Sequence, residues 1–385
     1  MKKNVVDFAG YTVHEKMIVD ANQKIPRAGE GSSVLLKDRA IMLAYSQFTG
    51  KSDHDSATIV SRISKNGAGT WSKPEKILEK SPDALNVMSI SLLRLHNGKI
   101  AFLYLHKFAK DDCIPYICFS EDEGISWSEA IPVTKHGKYY VVNNDRLIQT
   151  KAGRLIIPAC LHEVTPEGKY DERGSCGVFY SDDNGASWEK SPEFISIKNE
   201  NAVKPHKIEK DKDKIREEVL SRGIYSQEPG VVELSDGKIM MWARTNGGYM
   251  YKSMSHDGGG KWSEFMPVTS IISPCGPQSI KRIPGTSRLI CVYNDHNAYN
   301  FAEDSWWSWR TPLSIAVSDD EGDNWNTIGE IEDTSHNYCY TSILFFDDKT
   351  LLTYYVSENS TENGIEKRRN LASLKVKVIR TSAFL

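Results

Sequence analysis

Charged and aromatic residues gather at one kind of place in this sequence, the few positions that flank short apolar runs. Ahead of such runs stand Arg27 and Glu30, Asn86, Asn144 with Asp145 and Arg146, Glu228, Gln278, and Tyr338 with Tyr340. Behind the runs that follow stand Asp53, His54 and Asp55, Lys107, His162, Arg244, Asn294 with His296, and Arg310. Brought round one axis, so many polar groups predict a pocket for an anionic ligand.

The elements that must position them recur. Six units of apolar strand, turn and second apolar strand begin at Ser33, Ser89, Arg146, Gly230, Ser279 and Ser342, and none has helical periodicity. An eight-residue phrase follows most of them: "SEDEGISW" (120 to 127), "SDDNGASW" (181 to 188), "SHDGGGKW" (255 to 262) and "SDDEGDNW" (318 to 325). A worn copy, "SKNGAGTW", starts at Ser64. The starting serines 64, 120, 181, 255 and 318 stand 56, 61, 74 and 63 residues apart, a spacing suited to propeller blades. In each phrase Ser and Asp can bond turn backbone, Gly permits positive φ, and Trp can bury its ring between neighbouring blades. The expectation is an all-β chain, one six-bladed β-propeller domain over 1–385, with the phrases as turns between strands 3 and 4 of the blades.

The sixth blade would be completed by "NLASLKVKVIR" and an N-terminal strand such as "YTVHEKMIVD", closing the ring and removing exposed edges. With strand 1 running down from the top, the phrases lie at the bottom and the flanking polar residues at the top. A charged, partly helical insertion over 197–224 accounts for the longest spacing.

Composition narrows the partners. Lys and Arg number 48 against 51 Asp and Glu, a net charge of −3, which gives no electrostatic case for nucleic acid or an anionic membrane. No apolar span suits a membrane or a signal peptide, so the chain is read as cytoplasmic. The seven cysteines lack CxxC spacing and read as free thiols; no metal site or cofactor is expected.

The phrases together with the top loops resemble the sialidase (neuraminidase) superfamily over essentially the whole chain. That resemblance implies three arginines on a substrate carboxylate, an Asp acid, and a Tyr nucleophile paired with a Glu. "TGKSDHDSATIVSRIS" resembles the acid loop and implies Asp53 as proton donor, with His54 beside it. "QEPGVVELSDGKIMMWAR" implies Glu228 and Arg244, "WSWRTPLSIAVSDDEGDNW" implies Arg310, and "YCYTSILFF" implies Tyr340. The first arginine departs from the pattern. The chain reads "KIPRAGEGSSV", with Lys24 in the family's Arg-Ile-Pro triplet and Arg27 just after it. Arg27 is favoured over Lys24, Arg146 is a spare, and the shift, with Glu30 in the same loop, admits an acidic sugar other than sialic acid. Asn144, Asp145 and Gln278 complete the expected binding set.

The implied chemistry is consistent on its own terms. A neutral Tyr can approach an anomeric carbon that bears a carboxylate, where an Asp or Glu nucleophile would meet like charge. Asp53 would need a raised pKa, supplied by partial burial. The expected function is a retaining exo-glycoside hydrolase releasing a terminal sialic acid or similar acidic sugar from small glycans. The alternatives are an exo-hydrolase or transglycosylase for another sugar, such as a uronic acid or arabinose, and a non-catalytic sugar-binding propeller.

Overall fold

The structure, a computed structural model, describes residues 6–165, 168–198, 223–297, 309–362 and 365–385. Most of the proposed insertion, 199–222, therefore lies outside the described residues. The chain is all-β, built from six successive repeats of hydrogen-bonded strands.

Repeat 1 pairs Arg27–Leu35, Ile41–Phe48, Ala57–Ser64 and Glu75–Glu79 in that order. Repeat 2 is Asn86–Arg94, Ile100–Lys107, Cys113–Ser120 and Ile131–Pro132, and repeat 3 is Ile148–Gln149, Leu155–His162, Ser175–Ser181 and Glu189–Lys190. An extra strand, Tyr139–Val141, lies between these two and pairs with both, joining them into one sheet. Repeats 4 and 5 open with Ser226–Glu233 and Ser279–Arg282. Repeat 6 holds Tyr338–Phe346, Lys349–Glu362 and Ile365–Arg380, and its fourth strand is the N-terminal Thr12–Val19.

Local chemistry explains each hairpin. The tight turn between the first two strands needs a residue at positive φ, and Gly98 (+85°), Gly153 (+99°) and Gly237 (+85°) supply it. In repeat 1 the same place falls to Arg39 (+72°). The second strands are apolar on both faces, as in Ile100–Lys107, where every residue is buried. Sheets covered on both faces must pack against neighbours, and the cores are shared accordingly. Met42 of repeat 1 shares a core with Phe102 of repeat 2, Leu103 with Ile157 of repeat 3, and Ile156 with Met241 of repeat 4. Trp242 shares a core with Tyr293 of repeat 5, Val292 with Leu352 of repeat 6, and Leu351 with Leu43 of repeat 1. Each repeat thus shares a core with the next, and the sixth with the first. All seven cysteines are buried free thiols.

Candidate active site

A single local device aims the functional side chains. The first strand of repeats 1, 2, 4 and 6 breaks its register between Gly29 and Ser32, Met88 and Ser91, Gln227 and Gly230, and Cys339 and Ser342. One residue in each break adopts positive φ: Glu30 (+52°), Ser89 (+58°), Glu228 (+46°) and Tyr340 (+57°), with Asp145 (+58°) ahead of the first strand of repeat 3. Bulges of this kind re-aim side chains, and non-glycine residues held there cost about 1–3 kcal/mol each. Here Glu30, Ser89, Glu228 and Tyr340 all turn into one cavity of about 1040 Å³.

On one wall, the Tyr340 hydroxyl donates to Glu228 Oε1 at 3.1 Å. Burial pushes the Tyr340 phenol well above its ordinary range, and the Glu228 carboxylate adds to that. Arg244 Nη2 lies 3.2 Å from the same Glu228 oxygen, and Gln227 Oε1 accepts from Arg244 Nη2 at 2.7 Å. Arg310 lies over the Tyr340 ring, 5.6 Å from its centroid, and its Nη1 contacts Cys339 Sγ at 3.2 Å. One donor and one acceptor are left over: Arg244 Nη1 and Glu228 Oε2 are buried without a hydrogen-bond partner, and no carboxylate among the described residues pairs with Arg310. Unpaired buried guanidinium donors call for an anionic acceptor.

Across the cavity, Arg27 is surrounded by acceptors. Its Nε donates to the Tyr355 hydroxyl at 2.9 Å, Nη2 to Glu30 Oε1 at 2.8 Å, and Nη1 to Asp53 Oδ1. Ser89 Oγ holds the other Glu30 oxygen at 2.7 Å. Asp53 projects from its loop, its side chain 60% exposed. Its carbonyl accepts from Asn86 Nδ2 at 2.6 Å and Lys107 Nζ at 3.0 Å. Partial desolvation inside the cavity pushes Asp53 up even though its side chain reaches solvent, but the Arg27 guanidinium, helped by Lys107 and His54, outweighs it and holds the carboxyl below its ordinary range. This corrects the expectation of a raised Asp53: the sequence shows its loop but not the arginine that binds it. Glu30 is the raised acid instead. Burial, against the pull of Arg27, lifts it to about 7.

The cavity brings together Arg27, Glu30, Asp53, His54, Glu228, Arg244, Arg310 and Tyr340. It excludes four expected binders. Asn144 Nδ2 bonds the Gly31 and Tyr340 carbonyls, Asp145 accepts from Ser32 Oγ and Ile343 N, and Arg146 donates to the Gln278 carbonyl while facing the Trp242 ring. Gln278 Nε2 donates to Ser273 Oγ. None of the four lines the cavity, because they tie inner strands to one another. Lys24 is exposed and outside it.

Sequence reasoning missed Ser89, Gln227 and Tyr355. Ser89 had a signal, since it stands two residues before Ser91 as Glu30 does before Ser32 and Tyr340 before Ser342. Tyr139 and Tyr170, which also line the cavity, come from segments with no counterpart in other repeats and left none. Among the described residues no cluster of three His, Cys, Asp or Glu side chains could hold a metal.

Fold and cavity together define an all-β protein of repeated sheets with a cation-bearing ligand site at the starts of its inner strands. The chain belongs to the BNR repeat-like domain family of the sialidase superfamily, whose family model matches residues 39–352. Over 162 residues it is 28% identical to the anhydrosialidase of Macrobdella decora, covering 40% of this chain but only 17% of that protein. The Trypanosoma rangeli sialidase in complex with the inhibitor DANA superposes with a TM-score of 0.65 at 16% identity, over 92% of this chain and 55% of that one. The intramolecular trans-sialidase from Ruminococcus gnavus, in complex with oseltamivir carboxylate, gives 0.66 at 14% identity over 98% of both chains. At such identity these structures share the fold.

Proposed function

We propose that this chain is a single-domain, six-bladed propeller acting as a retaining exo-glycoside hydrolase that releases a terminal acidic sugar from small glycans. The six shared cores, the last joining repeat 6 to repeat 1, support the ring. One observation carries the activity: the Tyr340 hydroxyl bonded to Glu228 beside Arg244, whose Nη1 is left without a partner, and Arg310, which no carboxylate among the described residues pairs. A sugar-binding protein has no need of that Tyr and Glu pair.

In this reading Arg244 and Arg310 hold the substrate carboxylate and offset its charge as the oxocarbenium-like state develops. Glu228 takes the Tyr340 proton as the phenolic oxygen attacks the anomeric carbon. The departing oxygen takes a proton from Asp53. The leaving group seated over Asp53 would desolvate its carboxyl and favour the protonated form, letting it carry that proton. Water, deprotonated by Asp53, then displaces Tyr340, whose phenolic oxygen regains its proton from Glu228, and two displacements return the original configuration. Sialic acid is the first candidate, since its anomeric carbon bears the carboxylate that makes a neutral nucleophile advantageous. Because Arg27 is already held by Glu30, Asp53 and Tyr355, the clamp is centred on two arginines, which keeps other acidic sugars within the class.

The test is a panel of fluorogenic glycosides, sialosides first, followed by a fluorinated sugar with a good leaving group. Wild-type protein should be labelled at Tyr340 on peptide mapping, and Tyr340→Phe should lose turnover while still binding the free acidic sugar. Label on Tyr338 or on a carboxylate, or turnover without any label, overturns the mechanism.

A further inference from the structure

One cation in the cavity has no place in the chemistry above. Lys107 ends the second strand of repeat 2 and is only 2% exposed. Its ammonium makes one hydrogen bond, to the Asp53 carbonyl, and lies 5.3 Å from the centroid of the Tyr139 ring. Among the described residues no carboxylate stands within ion-pair distance of it, although lysines this buried are ordinarily paired. Two of its three donors are therefore unused, and the side chain lines the cavity.

The surroundings point the same way. The cavity wall carries six Lys and Arg side chains against four Asp and Glu, in a chain whose net charge is −3. A single substrate carboxylate on Arg244 and Arg310 would leave positive charge over, and that charge lies at Lys107 and at the exposed Lys110. The two lysines also help to hold His54 below its ordinary pKa, after burial. At about 1040 Å³ the cavity matches the upper end of ligand pockets, roughly 300–1,000 Å³, and has room for more than one sugar ring.

We propose that Lys107, with Lys110 on the same cavity wall, forms a second anion subsite that takes a carboxylate or sulfate on the sugar next to the acidic terminal one. This rests on the reading above in one respect: Asp53, whose carbonyl Lys107 holds, marks the leaving-group side of the scissile bond.

Three fluorogenic substrates test it, sharing one acidic terminal sugar and differing in an uncharged, carboxylated or sulfated leaving group. Wild-type KM should be at least about tenfold lower for one or both charged forms, and which one identifies the anion. In Lys107→Met that ratio should fall to within about twofold, and in Lys107→Arg it should persist. An equal loss on all three substrates, or a wild-type ratio near one, overturns the subsite and leaves Lys107 as a tether for the Asp53 loop. If wild type cleaves none of them, the glycosidase reading fails, and the subsite is judged by calorimetric titration with inorganic sulfate at fixed ionic strength. A sulfate site abolished by Lys107→Met but not by Arg310→Lys supports it; the absence of such a site overturns it.

Discussion

The eight-residue turns and the inner-strand bulges are both repeated, and both hold residues at positive φ, yet they spend their polar groups in opposite ways. In the turn at Ser181, the Ser181 hydroxyl donates to Asp183 at 2.7 Å and accepts from Gly185 N at 2.8 Å, while Asp183 Oδ1 accepts from Ser187 N at 2.9 Å. The turns at Ser120, Ser255 and Ser318 repeat this, and the worn copy at Ser64 does so with Asn66 in place of Asp. All partners lie within a few residues, and the glycine backs onto the preceding repeat, as Gly185 does onto Phe119. At the bulges partners also come from far along the chain. Tyr340 meets Glu228 across 112 residues, and polar atoms such as Glu228 Oε2 are left without a partner. A device that closes on itself stabilises; one that reaches across repeats and leaves donors over is built for something that arrives.

The largest effect should come from the bulges and concern rate alone. Glu228→Gln removes the acceptor for the Tyr340 proton and should lower kcat by on the order of 10²–10⁴ in steady-state assays. The turns should respond in stability instead. Trp262 is 8% exposed, so Trp262→Ala should cost about 3–5 kcal/mol in denaturant unfolding with KM unchanged. Trp188, half-buried, should cost less than Trp262. A raised KM in Trp262→Ala, or an equal loss of stability in Glu228→Gln, would break the comparison.

How far the sequence reveals each region follows from the same difference. The turn motif is legible because its Ser, Asp, Gly and Trp must sit at fixed offsets to bond one another, and the paired apolar runs mark every inner hairpin. The closing strand is legible too: the run "YTVHEKMIVD" offers itself for repeat 6, and Thr12–Val19 within it pairs with the last strand. Arg244, Glu228 and Tyr340 could be placed by their position at strand ends. What the sequence hid was which polar residue faces which. Arg146 and Asp145 sit as near a strand start as Glu30 does, but they bind neighbouring inner strands, and only the folded packing separates tie from site. The Arg27 and Asp53 contact hid for the same reason, and with it the sign of the Asp53 shift.

The smallest prediction sharpens the comparison at a bulge residue that carries no charge. Glu30, at about 7, is lifted first by burial and then by the nearby Asp53 and Glu228 charges, while Arg27 and the Ser89 hydroxyl favour its ionised form. Below about pH 7 Glu30 is neutral, and the Arg27 side of the cavity carries one less negative charge facing an anionic substrate. As pH rises through 7 that charge appears, so kcat/KM should fall on the alkaline side with an inflection near 7. Ser89→Ala deletes a hydrogen bond to the carboxylate form, which disfavours ionisation and moves the inflection upward. A bond to a charged group contributes about 1.5 kcal/mol, so the shift should reach roughly one pH unit. Glu30→Gln should abolish the inflection altogether. If Ser89→Ala leaves the profile in place or moves it down, another group titrates there, and the bulge at Ser89 only shapes the wall.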